Sequence, residues 1–518
     1  MTSGCGVGEP RRGLGSACNA CSGHHRSAGE HPPDFAARRR LPVRPPLLPP
    51  RDHLIILQLI VFGVELAGLA LIPVILLQRK EPTSTFAWIL TLLFLPFIGA
   101  VLFLLFGRVT IRQNPAPAPL SPGRGRDPAL PAPADTSDLS ATSFRIAQVV
   151  TNTLATRGNA ITVLEDGDDT YRAMGIAIDQ ATTEINAEYY LIHDDAVGCW
   201  FRERLVAAAG RGVKVRLLYD GIGSLGIGRH WTRPLRILGG EAVSFSPLRR
   251  ALVTSPNLRN HRKIVVVDRR IAFTGGINIC IEHSTQYSGA NAWRDVHLQI
   301  EGPAVNDLLR IFATDWAWVT HSYLKPMAEA TVQNGSAARL AVIPAGPDSH
   351  GQTIHRLFFA TITAARRKVS LISPYFGPDD TLLIALETVA MRGVDVELIL
   401  PAKSNHRVTF HAGRSLYERL LEAGVGIFEY QPGMIHSKLL FIDDELALVG
   451  SSNMDLRSFR LNFEVTTLIE EPATVQRLLG IFASCLAHSS RIELAAWRKR
   501  GLRLTLMEGM SRLLSPLL

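Results

Sequence analysis

The chain has 518 residues, more than one ordinary domain needs. Its hydrophobic fraction of 47% and mean hydropathy of +0.13 exceed what a soluble enzyme requires and point to a membrane part. The net charge of +9 suits an anionic partner, whether a lipid surface, a nucleic acid or a phosphate substrate. Six scattered cysteines (Cys5, Cys18, Cys21, Cys199, Cys280, Cys485) exclude a disulfide-stapled secreted domain.

In chain order, residues 1–50 read as a Gly-, Arg- and Pro-rich leader without structure. Its run Cys18, Cys21, His24, His25 lacks any periodic segment to fold around an ion, so no metal is expected. Apolar runs at 54–77 and 86–106 each meet the length of about 20 residues that spans a bilayer. With the short loop between them they predict a transmembrane hairpin over 51–108. Arg38, Arg39, Arg40, Arg44 and Arg51 precede it, and Arg108, Arg112, Arg124 and Arg126 follow it. The loop holds only Arg79 and Lys80, which places both flanks, and the large C-terminal part, on the cytoplasmic side. Glu65, inside the first run, reads equally as a functional charge or as a helix contact. A Pro-rich linker follows over 109–142.

From about residue 143, short apolar runs alternate with amphipathic stretches, the pattern of an α/β fold. This part is duplicated. Arg211-Gly212-Val213 is echoed by Arg392-Gly393-Val394, and Leu238–Phe245 by Leu421–Phe428. His261-Arg262-Lys263 with Ile264–Asp268 is echoed by His436-Ser437-Lys438 with Leu439–Asp443. Three echoes in the same order predict two copies of one α/β unit, over 143–330 and 331–518, related by a pseudo-twofold axis.

The third echo carries the chemistry. His and Lys at strand spacing i, i+2 face one side, and the apolar run after them enters a core. Gly275-Gly276 with Asn278, and Gly450-Ser451 with Asn453, follow as turns that let backbone and amide approach an anion. Two copies facing one another assemble two imidazoles, two ammonium groups and two amides around one phosphate, with no metal or cofactor needed. One His can attack phosphorus while the other protonates the leaving alkoxide, and lysine and asparagine hold the transition-state charge. Each imidazole needs a carboxylate to orient it, and Asp295 and Glu464 are the candidates. Asp268 and Asp443 end the strands and join the candidate catalytic set, with turn formation as their alternative role.

These residues resemble the His-Lys-Asp motif of the phospholipase D superfamily, and the likeness narrows to bacterial cardiolipin synthases. Carrying it are Phe86–Leu90, Leu95–Ala100, Asn186–Tyr190, Leu217–Ser224, Trp293-Arg294-Asp295, Ser373–Phe376, Asp455–Phe459 and Asn462-Phe463-Glu464. It covers about 54 to the C-terminus. The resemblance implies an inner-membrane phosphatidyltransferase: one phosphatidylglycerol forms a phosphatidyl-histidine, glycerol leaves, and a second phosphatidylglycerol resolves the adduct to cardiolipin. It implies His261 as nucleophile and His436 as general acid, then base, and no nucleic-acid partner. Two departures stand out. Gly276 occupies the place of Ser451, and Cys280–Ser284 differs from the family's acidic, aromatic stretch. A phospholipase D that admits water, a nuclease and a decayed scaffold are the alternatives. At the C-terminus, Trp497–Arg500 and Leu502–Leu518 combine cationic and apolar faces, fitting a membrane-surface segment or a plain packing helix.

Overall fold

A computed structural model of the chain describes residues 51–77, 82–107, 139–151, 153–245, 258–324, 338–347 and 352–513. The leader, most of the Pro-rich linker, Arg79, Lys80, the side chain of Glu65 and the last five residues lie outside what is described. The described residues fall into two compact units that divide between Val64 and Glu65.

The two apolar runs form helices, but broken ones. Arg51–Leu69 is followed by a turn and by Ile72–Leu77. Pro82–Phe94 stops before a second helix, Pro96–Leu102, which ends in a π-helical turn at Phe103–Gly107. Pro73 and Pro96 lack the N–H that would continue the preceding helix, so each sits in the first turn of a new one. Among the described residues no helix is long and apolar enough to cross a membrane, which corrects the expectation of two unbroken spanning helices. Ile75, Leu92 and Phe103 are buried together, with Trp88 edge-on to Phe103 at 5.4 Å.

The remainder is a duplicated α/β structure. The first half supplies β1 (Thr156–Leu164), β2 (Glu184–Tyr189), β3 (Lys214–Asp220), β4 (Glu241–Phe245), β5 (Arg259–Asn260), β6 (Lys263–Val267), β7 (Ile271–Gly275) and β8 (His297–Glu301). The second supplies β9 (Ala338–Ala345), β10 (Lys368–Ile372), β11 (Phe376–Gly377), β12 (Asp395–Pro401), β13 (Gly426–Tyr430), β14 (Leu439–Ile442), β15 (Leu446–Gly450), β16 (Met454–Asp455), β17 (Asn462–Glu470) and β18 (Ser489–Arg491). The sheet order is β1-β8-β7-β6-β2-β3-β4 in the first half and β9-β17-β15-β14-β10-β12-β13 in the second. Strand for strand these are the same path, and β1 pairs antiparallel with β9 to make the sheet continuous.

The sequence echoes have local causes. Asp195 caps the helix Ala196–Gly210 by accepting from the Gly198 N–H, and Asp379 does the same for Asp380–Met391 from Leu382. Each helix ends at an Arg-Gly-Val turn whose glycine, Gly212 or Gly393, takes φ +88°, a left-handed position that excludes most side chains. Strands β6 and β14 are buried along their whole length, as the run of Val, Ile and Leu requires of strands covered on both faces. One core cluster draws on both halves. The helix Ala304–Thr320 (Val305, Phe312, Trp316) packs there with Val465 of β17 and with Phe482 of Pro472–Ala487.

Candidate active site

The short strand β5 crosses from the first half to pair parallel with β17 of the second. The His261 N–H then donates to the Phe463 carbonyl at 2.8 Å, which sets the imidazole over Glu464. Its Nδ1 lies 2.9 Å from Glu464 Oε2. The reciprocal hook runs the other way. The His436 N–H donates to the Arg294 carbonyl at 2.7 Å, and its Nδ1 lies 2.7 Å from Oδ2 of Asp295. Each half therefore supplies the carboxylate that orients the other half's histidine. Sequence spacing singled out the two carboxylates but not this crossing.

Both imidazoles line one cavity of about 490 Å³, together with Asn278 and Asn453. Both asparagines leave Oδ1 buried without a partner among the described residues. A buried, unmatched carbonyl oxygen costs about 1–3 kcal/mol, a cost that a ligand hydroxyl donating to it would remove. Lys263 and Lys438 are buried beside the cavity, their ammonium groups donating to the carbonyls of His261 (2.7 Å) and His436. Burial, reinforced by the Lys438 charge, pulls Lys263 down to about 7. Burial brings Lys438 to about 8 against the pull of Asp295 and Glu464. Burial also lowers both histidines, His436 far below its ordinary value, so the neutral imidazole is favoured. Burial would lift Glu464, yet it is held below the usual carboxylate range by His261, Lys263 and the Ser451 hydroxyl.

Ser451 donates to Glu464 Oε2 and accepts from the Val465 N–H at 3.0 Å. It supports the carboxylate and does not line the cavity. Gly275 also differs from its expected role. Its φ is +153°, and a Cβ there would come within 2.6 Å of the Val296 carbonyl, so it permits the approach of β8, not of an anion. At Gly276 a Cβ would meet Asp295 Oδ1 at 2.2 Å. The departure from Ser451 thus follows from the Asp295 carboxylate occupying the space of the missing hydroxyl.

The structure corrects the grouping of Asp268 and Asp443 with the chemistry. Each sits at positive φ in the tight turn after β6 or β14, at the opposite end of the strand from the lysine. Asp268 accepts from the N–H groups of Thr182, Thr183 and Glu184, and Asp443 from those of Arg366, Arg367 and Lys368. Aspartate tolerates the left-handed turn and binds a run of backbone donors, so both lock the hairpin to the neighbouring strand.

Other residues complete the site without having been assigned a role from sequence. Tyr190 stands edge-on to His261 with ring centres 4.9 Å apart, and Trp293 and Tyr375 approach His436 at 5.0 and 6.3 Å. His283, within the departing stretch after Asn278, is buried 5.3 Å from His436 with both ring nitrogens unpartnered among the described residues. His406, Thr409 and Ala412 bring the helix Arg407–Arg414 to the cavity wall. Ligand atoms of His283, Asp295 and His436 lie within 4.8 Å of one another, but Lys438 and Lys263 make that corner cationic and unsuited to a metal.

A family described as "Cardiolipin synthase, PLD-like domain" matches residues 174–316 and 358–486, and one described as "Phospholipase_D-nuclease N-terminal" matches 66–108. A protein named cardiolipin synthase from Geobacillus kaustophilus is 36% identical over 468 residues, covering 86% of this chain and 91% of its own. One of the same name from Alkalihalophilus pseudofirmus is 36% identical over 463 residues, with the same coverage. Among solved structures, a phosphatidylserine synthase of Haemophilus influenzae aligns with a TM-score of 0.57 at 15% identity. It covers 73% of this chain and 100% of that one, a likeness of fold.

Proposed function

The chain belongs to the cardiolipin synthase family with its phospholipase D-like domain, and on that premise we propose that it transfers a phosphatidyl group from one phosphatidylglycerol to another. The observation that carries the reading is the pair of buried histidines on one cavity, each held at Nδ1 by a carboxylate. At His261 the carboxylate fixes the proton on Nδ1 and leaves the Nε2 lone pair for attack, and at His436 the Asp295 carboxylate supports the imidazolium that acts as the acid. His261 Nε2 attacks phosphorus, and glycerol leaves with the Nε2 proton of His436, which takes this step as imidazolium, the form favoured once the phosphate anion offsets the charges of Lys263 and Lys438. The headgroup hydroxyl of a second phosphatidylglycerol then passes its proton to His436 and attacks the phosphatidyl-His261, releasing cardiolipin and restoring the His261 imidazole and the His436 imidazolium. Lys263, Lys438, Asn278 and Asn453 bear the charge on the phosphoryl oxygens. Either histidine fits the nucleophile's geometry, and the family resemblance favours His261.

The apolar segments at 51–107 serve as the anchor to the inner membrane, their breaks at proline being tolerated where neighbouring helices supply partners, with the catalytic halves on the cytoplasmic side. The substrate is lipid and not nucleic acid, since a nuclease has no use for such an anchor.

Thin-layer analysis of lipids after expression in a host lacking cardiolipin tests the reading. New cardiolipin is expected, lost on His261→Ala or His436→Ala. Phosphatidic acid as the sole product would make the protein a hydrolase, and nucleotide release abolished by His261→Ala would make it a nuclease.

A further inference from the structure

The last described helix, Leu502–Leu513, is inside-out. Its polar residues Glu508 and Ser511 are buried, while Leu502, Leu506, Met510 and Leu513 stand 73%, 57%, 69% and 80% exposed. Glu508 faces the protein, where both of its oxygens accept from Arg500 at 2.7 Å and one approaches Arg414 at 3.4 Å. A helix that packs for stability buries its leucines and shows its glutamate to water. Here an ion-pair network holds the helix with its apolar stripe outward.

That stripe makes a groove of about 780 Å³ in which Val408 joins Leu506, Met507 and Met510. Val408 lies on the helix Arg407–Arg414, whose Thr409 and Ala412 face the catalytic cavity. A single helix therefore separates the groove from the phosphate site. Arg503 lines the groove, Arg512 lies on the same helix and Arg407 adjoins Val408 in the chain; all three are exposed, and none has an ion-pair partner among the described residues. Apolar residues with exposed arginines beside them match an anionic lipid surface, where leucine enters the acyl layer and arginine meets phosphate.

We propose that the Leu502–Leu513 helix lies in the membrane interface and that its groove receives the acyl chains of the phosphatidylglycerol whose headgroup enters the cavity. The proposal rests on the transfer reading for the identity of the lipid, but not for the contact itself. Membrane contact then extends beyond residues 51–107 to the wall of the active site.

Two measurements on the full chain test it. Leu506→Glu/Met510→Glu should cut turnover of long-chain phosphatidylglycerol vesicles at least tenfold, and leave turnover of monomeric short-chain phosphatidylglycerol within twofold. Met391→Glu, at a residue 72% exposed on another helix, should change neither. An unchanged vesicle rate overturns the proposal, and so does an equal loss on both substrates, which would mean the stripe packs against protein. Separately, an environment-sensitive dye on Met510→Cys should be quenched by brominated phosphatidylglycerol in vesicles, and one on Met391→Cys should not. Quenching at neither site, or burial of the dye by a second copy in detergent alone, overturns it. The dye reads contact without turnover. A wild type that transfers nothing would therefore sink the transfer reading and leave this one to stand or fall on the quenching.

Discussion

His261 Nδ1 and Glu464 Oε2 meet at 2.9 Å across 203 residues of sequence, and His436 with Asp295 repeats the arrangement in reverse. Neither half contains an oriented histidine alone. The carboxylate keeps the imidazole in the tautomer that presents Nε2 and stabilises the imidazolium formed during proton transfer. Glu464→Gln and Asp295→Asn keep the shape and lose both effects. Each is expected to lower kcat by about 10²–10⁴-fold, the range general acid–base catalysis commands. Because each pair acts as a unit, His261→Ala/Glu464→Gln should be no slower than His261→Ala. Additive losses in single-turnover kinetics would show that the carboxylates act elsewhere.

Lys263 at about 7 and Lys438 at about 8 set an alkaline limit. Raising pH through this window removes the positive charge that binds phosphate. KM for phosphatidylglycerol should therefore climb above about pH 7 while kcat changes less, since a bound phosphate restores the ammonium form. The acid limb falls below the ordinary histidine value, because burial lowers His261 and its protonation removes the nucleophile. Lys438→Arg, which does not titrate here, should remove the step near pH 8 and leave the one near pH 7 that belongs to Lys263, even if it slows turnover. A KM profile that stays flat from pH 7 to 9 in the wild type would refute the assignment.

The duplication was legible because its echoes are backbone necessities: a glycine at φ +88° after a helix, and an aspartate at positive φ after a strand. The His-x-Lys pairs and the two carboxylates were legible for the same reason, since each recurs in both copies. The crossing was not, because β5 pairs with β17 through backbone atoms that leave no mark on residue type. Nor was the position of His283, which has no counterpart to its ring contact with His436 in the second copy's echo. The apolar runs concealed the helix breaks, for one proline is diluted in a long apolar stretch while the missing N–H at Pro73 and Pro96 decides the backbone.

Asp268 and Asp443 are expected to matter to stability and not to the chemical step. Each carboxylate satisfies three backbone N–H groups in one turn. Alanine at either position should cost about 2–4 kcal/mol, from several orphaned donors and a strained left-handed residue. Denaturant unfolding should show this, while kcat per folded molecule stays within about threefold. A hundredfold loss of kcat in folded protein would return them to the catalytic set.

Gly276 and Asp295 form a matched pair, as Ser451 and Glu464 do. In the second half the serine hydroxyl donates to the longer carboxylate. In the first half the Asp295 carboxylate fills the place a side chain would take, with Oδ1 2.2 Å from a Cβ built on Gly276 and accepting from the Val296 N–H at 2.8 Å. Gly276→Ser should push Asp295 off His436 Nδ1 and lower kcat by at least tenfold. Asp295→Glu alone should also be slow, its added methylene having no room beside β7. Combined, the two changes rebuild the second half's arrangement around His436, and activity should recover above either single variant. The comparison of kcat among the three variants decides it: a double variant as slow as the product of the single losses would mean that the two positions are independent, and that the glycine serves only the approach of β8.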